Sequence, residues 1–135
     1  MTAGYSGTPL VAKLGVKPGM RVAIRHAPED FRALLAPWPE GAHIVGPGHA
    51  PLDMIMLFVD CAQRLEGAFA RAAALLTPAG MLWIAWPKRA SGVPTDLTED
   101  RVREIGLAAG LVDVKVCAVT EVWSGLKFVR RLVDR

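Results

Sequence analysis

The chain has no glycine-rich loop, no paired-cysteine spacing, no internal repeat and no apolar run of membrane length. Each absence removes a class of protein. Cys61 and Cys117 are the only cysteines in 135 residues. Neither has a zinc or redox spacing, so a disulfide-free, reducing compartment is expected, with the cytoplasm as the default. The longest uncharged stretch, Ala72 to Pro87, is interrupted by Pro78 and Gly80. A membrane helix needs about 20 continuous apolar residues, so no membrane partner is expected. No basic N-terminal segment leads into an apolar run, as a secretion signal would. His26, His43, His49 and Asp53 lack ligand spacing, which argues against a metal. Net charge is only +3. Lys127, Arg130, Arg131 and Arg135 read as a solvated strand face, without the dense patch and interleaved aromatics that nucleic-acid binding requires.

What is present is a globular composition, 52% hydrophobic and 21% charged, and its length fits one domain over 1–135. Thr8-Pro9 reads as the cap and first residue of a short helix that Gly15 stops. Lys17-Pro18-Gly19-Met20 suits a type II turn into a strand from Arg21 to Arg25. Pro28, Glu29 and Asp30 then read as the start of a helix with Phe31, Leu34 and Leu35 on its apolar face, ended by Pro37. Ala42 to Val45 is a short strand, and Gly46 to Pro51 is a loop.

Leu52 to Val59 is a continuous apolar run around Asp53, the pattern of a strand covered on both faces. Asp60 and Gln63 have capping-box spacing. Ala62, Leu65, Phe69, Ala72 and Leu76 form a helical stripe. Met81 to Trp86 is a second buried strand. Pro87 to Leu97 is an irregular loop, Thr98 caps the next helix, and Leu97 and Val102 have staple spacing. Val112, Val114 and Val116 alternate with polar residues in a half-exposed strand. Glu121 to Gly125 is a turn, and Leu126 to Leu132 is the return strand. Strands alternating with helices argue for a three-layer α/β fold. A mostly parallel six-stranded sheet is expected, with an antiparallel hairpin at one edge.

A sheet ending in a helix and a hairpin resembles the S-adenosylmethionine-dependent methyltransferase fold. Lys17 to Ile24 (KPGMRVAI) resembles that family's first strand entry. Leu76 to Trp86 (LTPAGMLWIAW) is similar to its helix–turn–strand segment, and Ala109 to Val119 (AGLVDVKVCAV) to its penultimate strand entry. The resemblance implies a clipped version, because the segment before Leu52 is too short for the family's third strand. Two departures fall on the cofactor site. The family's glycine loop after the first strand is replaced by Arg25 to Asp30, without glycine. The position of the family's acid that holds the cofactor's ribose falls near Val45 or Gly46, neither of which can hold it. No cofactor is therefore expected, and S-adenosylmethionine is disfavoured. Three blocks, GYSGTPLVAKLGVKPGMRV, WPKRASGVPTDLTEDRVRE and VKVCAVTEVWSGLKFVRRL, resemble a family of short bacterial proteins of unknown function, which implies a shared compact fold and no activity.

In open α/β sheets ligands bind beyond the carboxyl ends of the strands. The candidate ligand residues there are Lys88, Arg89, Ser91, Trp86, Asp96, His26 and Trp123. Lys88 and Arg89 could hold a phosphate or carboxylate, or be solvated charges paired with Asp96 or Glu99. Ser91 is a turn former in the simpler reading, since no nucleophile-elbow motif surrounds it. His26 and Asp60 could form a general-base pair, but capping alone explains Asp60. Trp83 should be core, and Trp86, on the opposite face, should wall a pocket. Trp123 should fold back under the Pro87–Leu97 loop or anchor an interface.

Three functions follow. The favoured one is a non-catalytic binding or interaction module, and so not an enzyme. The alternative is a small anionic-ligand binder or enzyme using the Trp86–Asp96 loop. The third is a methyltransferase with an atypical cofactor loop. The partner is a small anionic ligand or a protein. A monomer is expected, with a dimer through the edge hairpin as the alternative.

Overall fold

The structure is a computed structural model that describes residues 7–135. Gly4, Tyr5 and Ser6, within the first resembling block, lie outside the described residues. Helix α1 (Leu10–Leu14) has Pro9, not Thr8, at its cap position, and Gly15 closes it at φ 88. The Lys17–Met20 turn forms as expected: the Met20 N–H donates to the Lys17 carbonyl at 3.3 Å, and Gly19 has φ 81. It delivers the chain into β1 (Arg21–Arg25).

The next segment differs from expectation. In place of an amphipathic α-helix there is a five-residue 3-10 turn, Phe31–Leu35. Pro37 follows too closely for regular α-helix. Only the i, i+4 pair Phe31 and Leu35 reaches the core, and Leu34 is 48% exposed. The chain continues through β2 (His43–Ile44), β3 (Leu52–Phe58), α2 (Ala62–Ala73), β4 (Leu76–Pro87), α3 (Glu99–Ala108), β5 (Leu111–Ala118) and β6 (Trp123–Arg130).

Two of these boundaries also depart from expectation. β4 starts before the Thr77–Pro78 break, with Leu76 opposite Leu52, and regular pairing resumes with Met81 opposite Met54. Gly80 allows this, since a Cβ there would lie 3.1 Å from the Leu52 carbonyl oxygen. β6 starts at Trp123, opposite Pro87, because the connection from β5 is tighter than the expected turn.

The six strands lie in the order β2-β1-β3-β4-β6-β5. The pairs β2–β1, β1–β3 and β3–β4 are parallel, and β6 is antiparallel to both its neighbours. The mostly parallel α/β sheet with a C-terminal antiparallel hairpin is therefore present. One face buries Leu65 and Phe69 of α2 and Val102 and Ile105 of α3 with Ile55, Leu57, Ile84 and Trp86. The other buries Val11 and Leu14 of α1 and Phe31 with Met54, Met56, Phe58 and Trp83. The period-2 alternation along β3 divides its side chains between the two layers.

Specific polar contacts fix the outer layers. Trp83 Nε1 donates to the Leu14 carbonyl at 2.8 Å and ties α1 to the sheet. Thr98 Oγ1 accepts from the Arg101 N–H at 3.1 Å, the expected cap of α3, and Leu97 and Val102 are both buried beside it. Arg103 joins α3 to β5 through Asp113 at 2.8 Å and also holds Glu99 and Asp100. The hydrogen bond from Arg103 holds the Asp113 carboxyl below its usual pKa.

Candidate functional site at the carboxyl end of the sheet

Strand order reverses between β1 and β3, because the chain runs from β1 to one side and then returns to the other. The crevice outside their carboxyl ends is where such sheets take ligands. β1 ends at Arg25, and His26 follows at φ 60, the only non-glycine residue at positive φ among the described residues. A left-handed histidine costs of order 1 kcal/mol or more and is retained where the surroundings require the bend. Arg25 and His26 are exposed. The backbone N–H groups of His26 and Ala27 have no hydrogen-bond partner among the described residues. Free amides after a left-handed residue make a small anion-accepting concavity.

β3 ends at Phe58, and Asp60 follows. Asp60 does not cap α2 as the capping-box spacing suggests. Its Oδ1 pairs with Arg64 at 2.8 Å, and its carbonyl accepts from Thr95 Oγ1 at 2.6 Å. The cap comes from across the site: the Ala62 N–H donates to Asp96 Oδ1 at 2.8 Å. A general-base pair of His26 with Asp60 does not form, because Arg64 holds that carboxylate.

β4 leads into the 88–98 loop. The Lys88 N–H donates to the Val122 carbonyl at 2.7 Å. Ser91 Oγ donates to the Lys88 carbonyl at 2.6 Å and accepts from the Val93 N–H at 3.2 Å, so it is a turn former. Thr95 Oγ1 also accepts from the Leu97 N–H. Together Thr95 and Asp96 pin the loop over the start of α2. They leave a cavity of about 230 Å³ lined by Arg89 and the run from Gly92 to Thr98.

The structure brings only some of the candidate residues together. Arg89 and Asp96 line the cavity. Neither Lys88 nor Arg89 pairs with Asp96 or Glu99, which are engaged elsewhere, and neither has a side-chain partner among the described residues. Trp86 is buried against the α2–α3 layer and does not line the cavity. Trp123 packs edge-on against Phe58, with ring centroids 5.1 Å apart, in the opposite layer. It folds back onto the sheet, as the first of its two readings expects, but not under the Pro87–Leu97 loop. His26 stands apart at the end of β1. Sequence reasoning missed the remote cap from Asp96 and the left-handed His26. The latter had one signal, a strand end leading to a helix start with only His-Ala-Pro between them.

No protein-family model and no curated protein matches the chain. Solved structures do, at low identity. A magnesium protoporphyrin IX methyltransferase from Synechocystis PCC 6803 with bound SAM has a TM-score of 0.56 at 11% identity, over 90% of this chain and 74% of that one. A 1,6-didemethyltoxoflavin-N1-methyltransferase from Burkholderia thailandensis, with S-adenosylhomocysteine bound, has 0.58 at 17%, over 90% and 76%. A SAM-dependent methyltransferase from Aquifex aeolicus has 0.59 at 15%, over 88% and 86%. Against these neighbours, three expectations are corrected: the non-catalytic module, the absence of enzyme activity, and the exclusion of S-adenosylmethionine. All three rested on the missing glycines and ribose acid, and the neighbours of this fold include methyltransferases with that cofactor or its product bound. The chain has a methyltransferase-like, Rossmann-type fold.

Proposed function

We propose that the protein is an S-adenosylmethionine-dependent methyltransferase that uses the carboxyl end of β1 for its cofactor and the 88–98 loop for its acceptor. The observation that carries this reading is the left-handed bend at His26, with two unpartnered backbone amides, on a sheet of this strand order. The bend does for this chain what a glycine loop does elsewhere. The amides of His26 and Ala27 suit the carboxylate of the cofactor's amino-acid tail. Glu29 and Asp30, exposed just beyond, suit its amino group. When bound, the cofactor supplies an electrophilic methyl group. No carboxylate lies on 43–51 to take its ribose hydroxyls, so this chain must hold the adenosyl part without that contact.

On the acceptor side, Arg89 lines the cavity and has no ion-pair partner among the described residues, which suits an acceptor bearing a carboxylate or phosphate. The same reading places the chain as a single cytoplasmic domain akin to the short bacterial proteins that its three blocks resemble. No helix among the described residues is long and apolar enough to cross a membrane.

The test is calorimetric titration with S-adenosylhomocysteine. A saturable site is expected, retained in His26→Gly, since glycine takes positive φ without strain. No heat at ligand concentrations of about 1 mM, a range that detects even a weak site, sinks the proposal.

A further inference from the structure

The chain has five lysines, Lys13, Lys17, Lys88, Lys115 and Lys127. Lys88 opens the 88–98 loop, and the other four gather on the α1 side of the sheet. Lys13 lies in the last turn of α1, and Lys17 opens the turn into β1. Lys115 of β5 sends its Nζ to the Lys13 carbonyl at 2.9 Å. Lys127 of β6 stands opposite Lys115 in the ladder, and its Nζ lies 6.0 Å from the centroid of the Trp83 ring.

The arginines are deployed differently. All seven ion pairs among the described residues use an arginine. Lys17, Lys88, Lys115 and Lys127 enter none of them. Four of the seven lie on α3 or between α2 and α3, and a fifth joins α3 to Asp113 of β5.

Like charges directly opposite in a ladder destabilise it. β6 is an interior strand, so Lys127 stands inside the sheet and is half-buried, not on the solvated strand face that its setting suggests. Burial lowers the pKa of Lys127, and the charges of Lys115 and Lys17 lower it further. The acid nearest in sequence on β5, Asp113, points to Arg103 on the other face. Glu40 meets the Lys17–Met20 turn through its carbonyl, which accepts from the Gly19 N–H at 3.2 Å, and its carboxylate enters no ion pair. The fold thus brings Lys115 and the half-buried Lys127 together, with Lys17 near enough to act on Lys127, and none of the three enters an ion pair among the described residues.

We propose that the surface between the end of α1 and the β5–β6 hairpin is a phosphate-binding site, in which Lys17, Lys115 and Lys127 receive the phosphate group of a small molecule. Lysine ammonium groups hold phosphate as compact point charges, each with three donors on a flexible stem. The site lies on the α1 layer and not at the carboxyl ends of β1 and β3, so it stands or falls independently of the cofactor site.

The experiment is a pyrophosphate titration of the ¹³C-labelled lysine side chains, at ionic strength held constant with sodium chloride. Saturable shifts at Lys17, Lys115 and Lys127 are expected, with the Lys127 pKa rising towards its usual value. Lys127→Gln should bind about tenfold more weakly, the loss of one charge-assisted hydrogen bond. Lys17→Gln, at an exposed turn position where folding is not at risk, should weaken binding similarly. The proposal is overturned if sodium chloride alone reproduces the shifts, which is screening and not a site. It is equally overturned if Lys17→Gln binds as the parent does. A single-stranded oligonucleotide serves as a second arm: saturation by it without saturation by pyrophosphate overturns the small-molecule assignment in favour of a polymer.

Discussion

Gly106 shows how closely a single residue is fitted to this fold. A Cβ at that position would lie 2.1 Å from Cε2 of Phe128. Phe128 is fully buried and stands edge-on to Phe69 at 5.1 Å between ring centroids, so it has no room to withdraw. Glycine in a helix interior is ordinarily unfavourable by about 1 kcal/mol relative to alanine. Here close approach of α3 to β6 outweighs that propensity. Gly106→Ala should therefore destabilise the protein by about 1–3 kcal/mol, the range for overpacking a core. Gly67→Ala is the control. Nothing lies within 4 Å of where a Cβ on this α2 residue would stand, so the substitution should stabilise by up to about 1 kcal/mol. Urea denaturation of both variants measures the contrast. Equal signs for the two would show that the Gly106 contact relaxes at little cost.

At the scale of elements, most of the fold was legible because local rules and tertiary packing agree. β1, β3, the Lys17–Met20 turn and the Thr98 cap follow their sequence patterns closely. The misreadings occur where a distant partner decides. The residues 31–35 carry helical apolar spacing, but the prolines leave room for one 3-10 turn only. Asp60 has the spacing of a cap, yet Arg64 takes its carboxylate. The start of α2 is satisfied from 34 positions away, by Asp96. No local pattern reveals a cap of that kind. Its consequence is that the 88–98 loop and α2 are stabilised together. Asp96→Ala should cost about 1 kcal/mol, as loss of a cap does, and should raise the exchange rate of the Ala62 amide. Asp96→Asn keeps an acceptor oxygen and should recover most of the loss. Unchanged exchange at Ala62 in Asp96→Ala would remove this link between loop and helix.

For the whole molecule, the crevice was legible in the sequence, but the backbone conformation at its edge was not. No glycine lies between Arg25 and Asp30, yet His26 supplies left-handed backbone there itself. The lysine cluster was invisible for a related reason, since its members are scattered from 13 to 127 and meet only through strand order. That order also leaves two open edges. β2 is a two-residue strand, too short to template another chain. β5 is the longer edge, and its pairing with β6 is irregular between Asp113 and Lys115. Short edges and irregular ones are the ordinary protections against edge-to-edge association. Lys115 reaches across to α1, while Val114 and Val116 stay about half exposed on β5. Two such side chains fall short of the contiguous apolar core of a stable interface. The protein should therefore be a monomer by light scattering across a wide concentration range, and Val116→Lys should leave its mass unchanged. A dimer that Val116→Lys dissociates would show that β5 pairs with a second copy despite its irregularity.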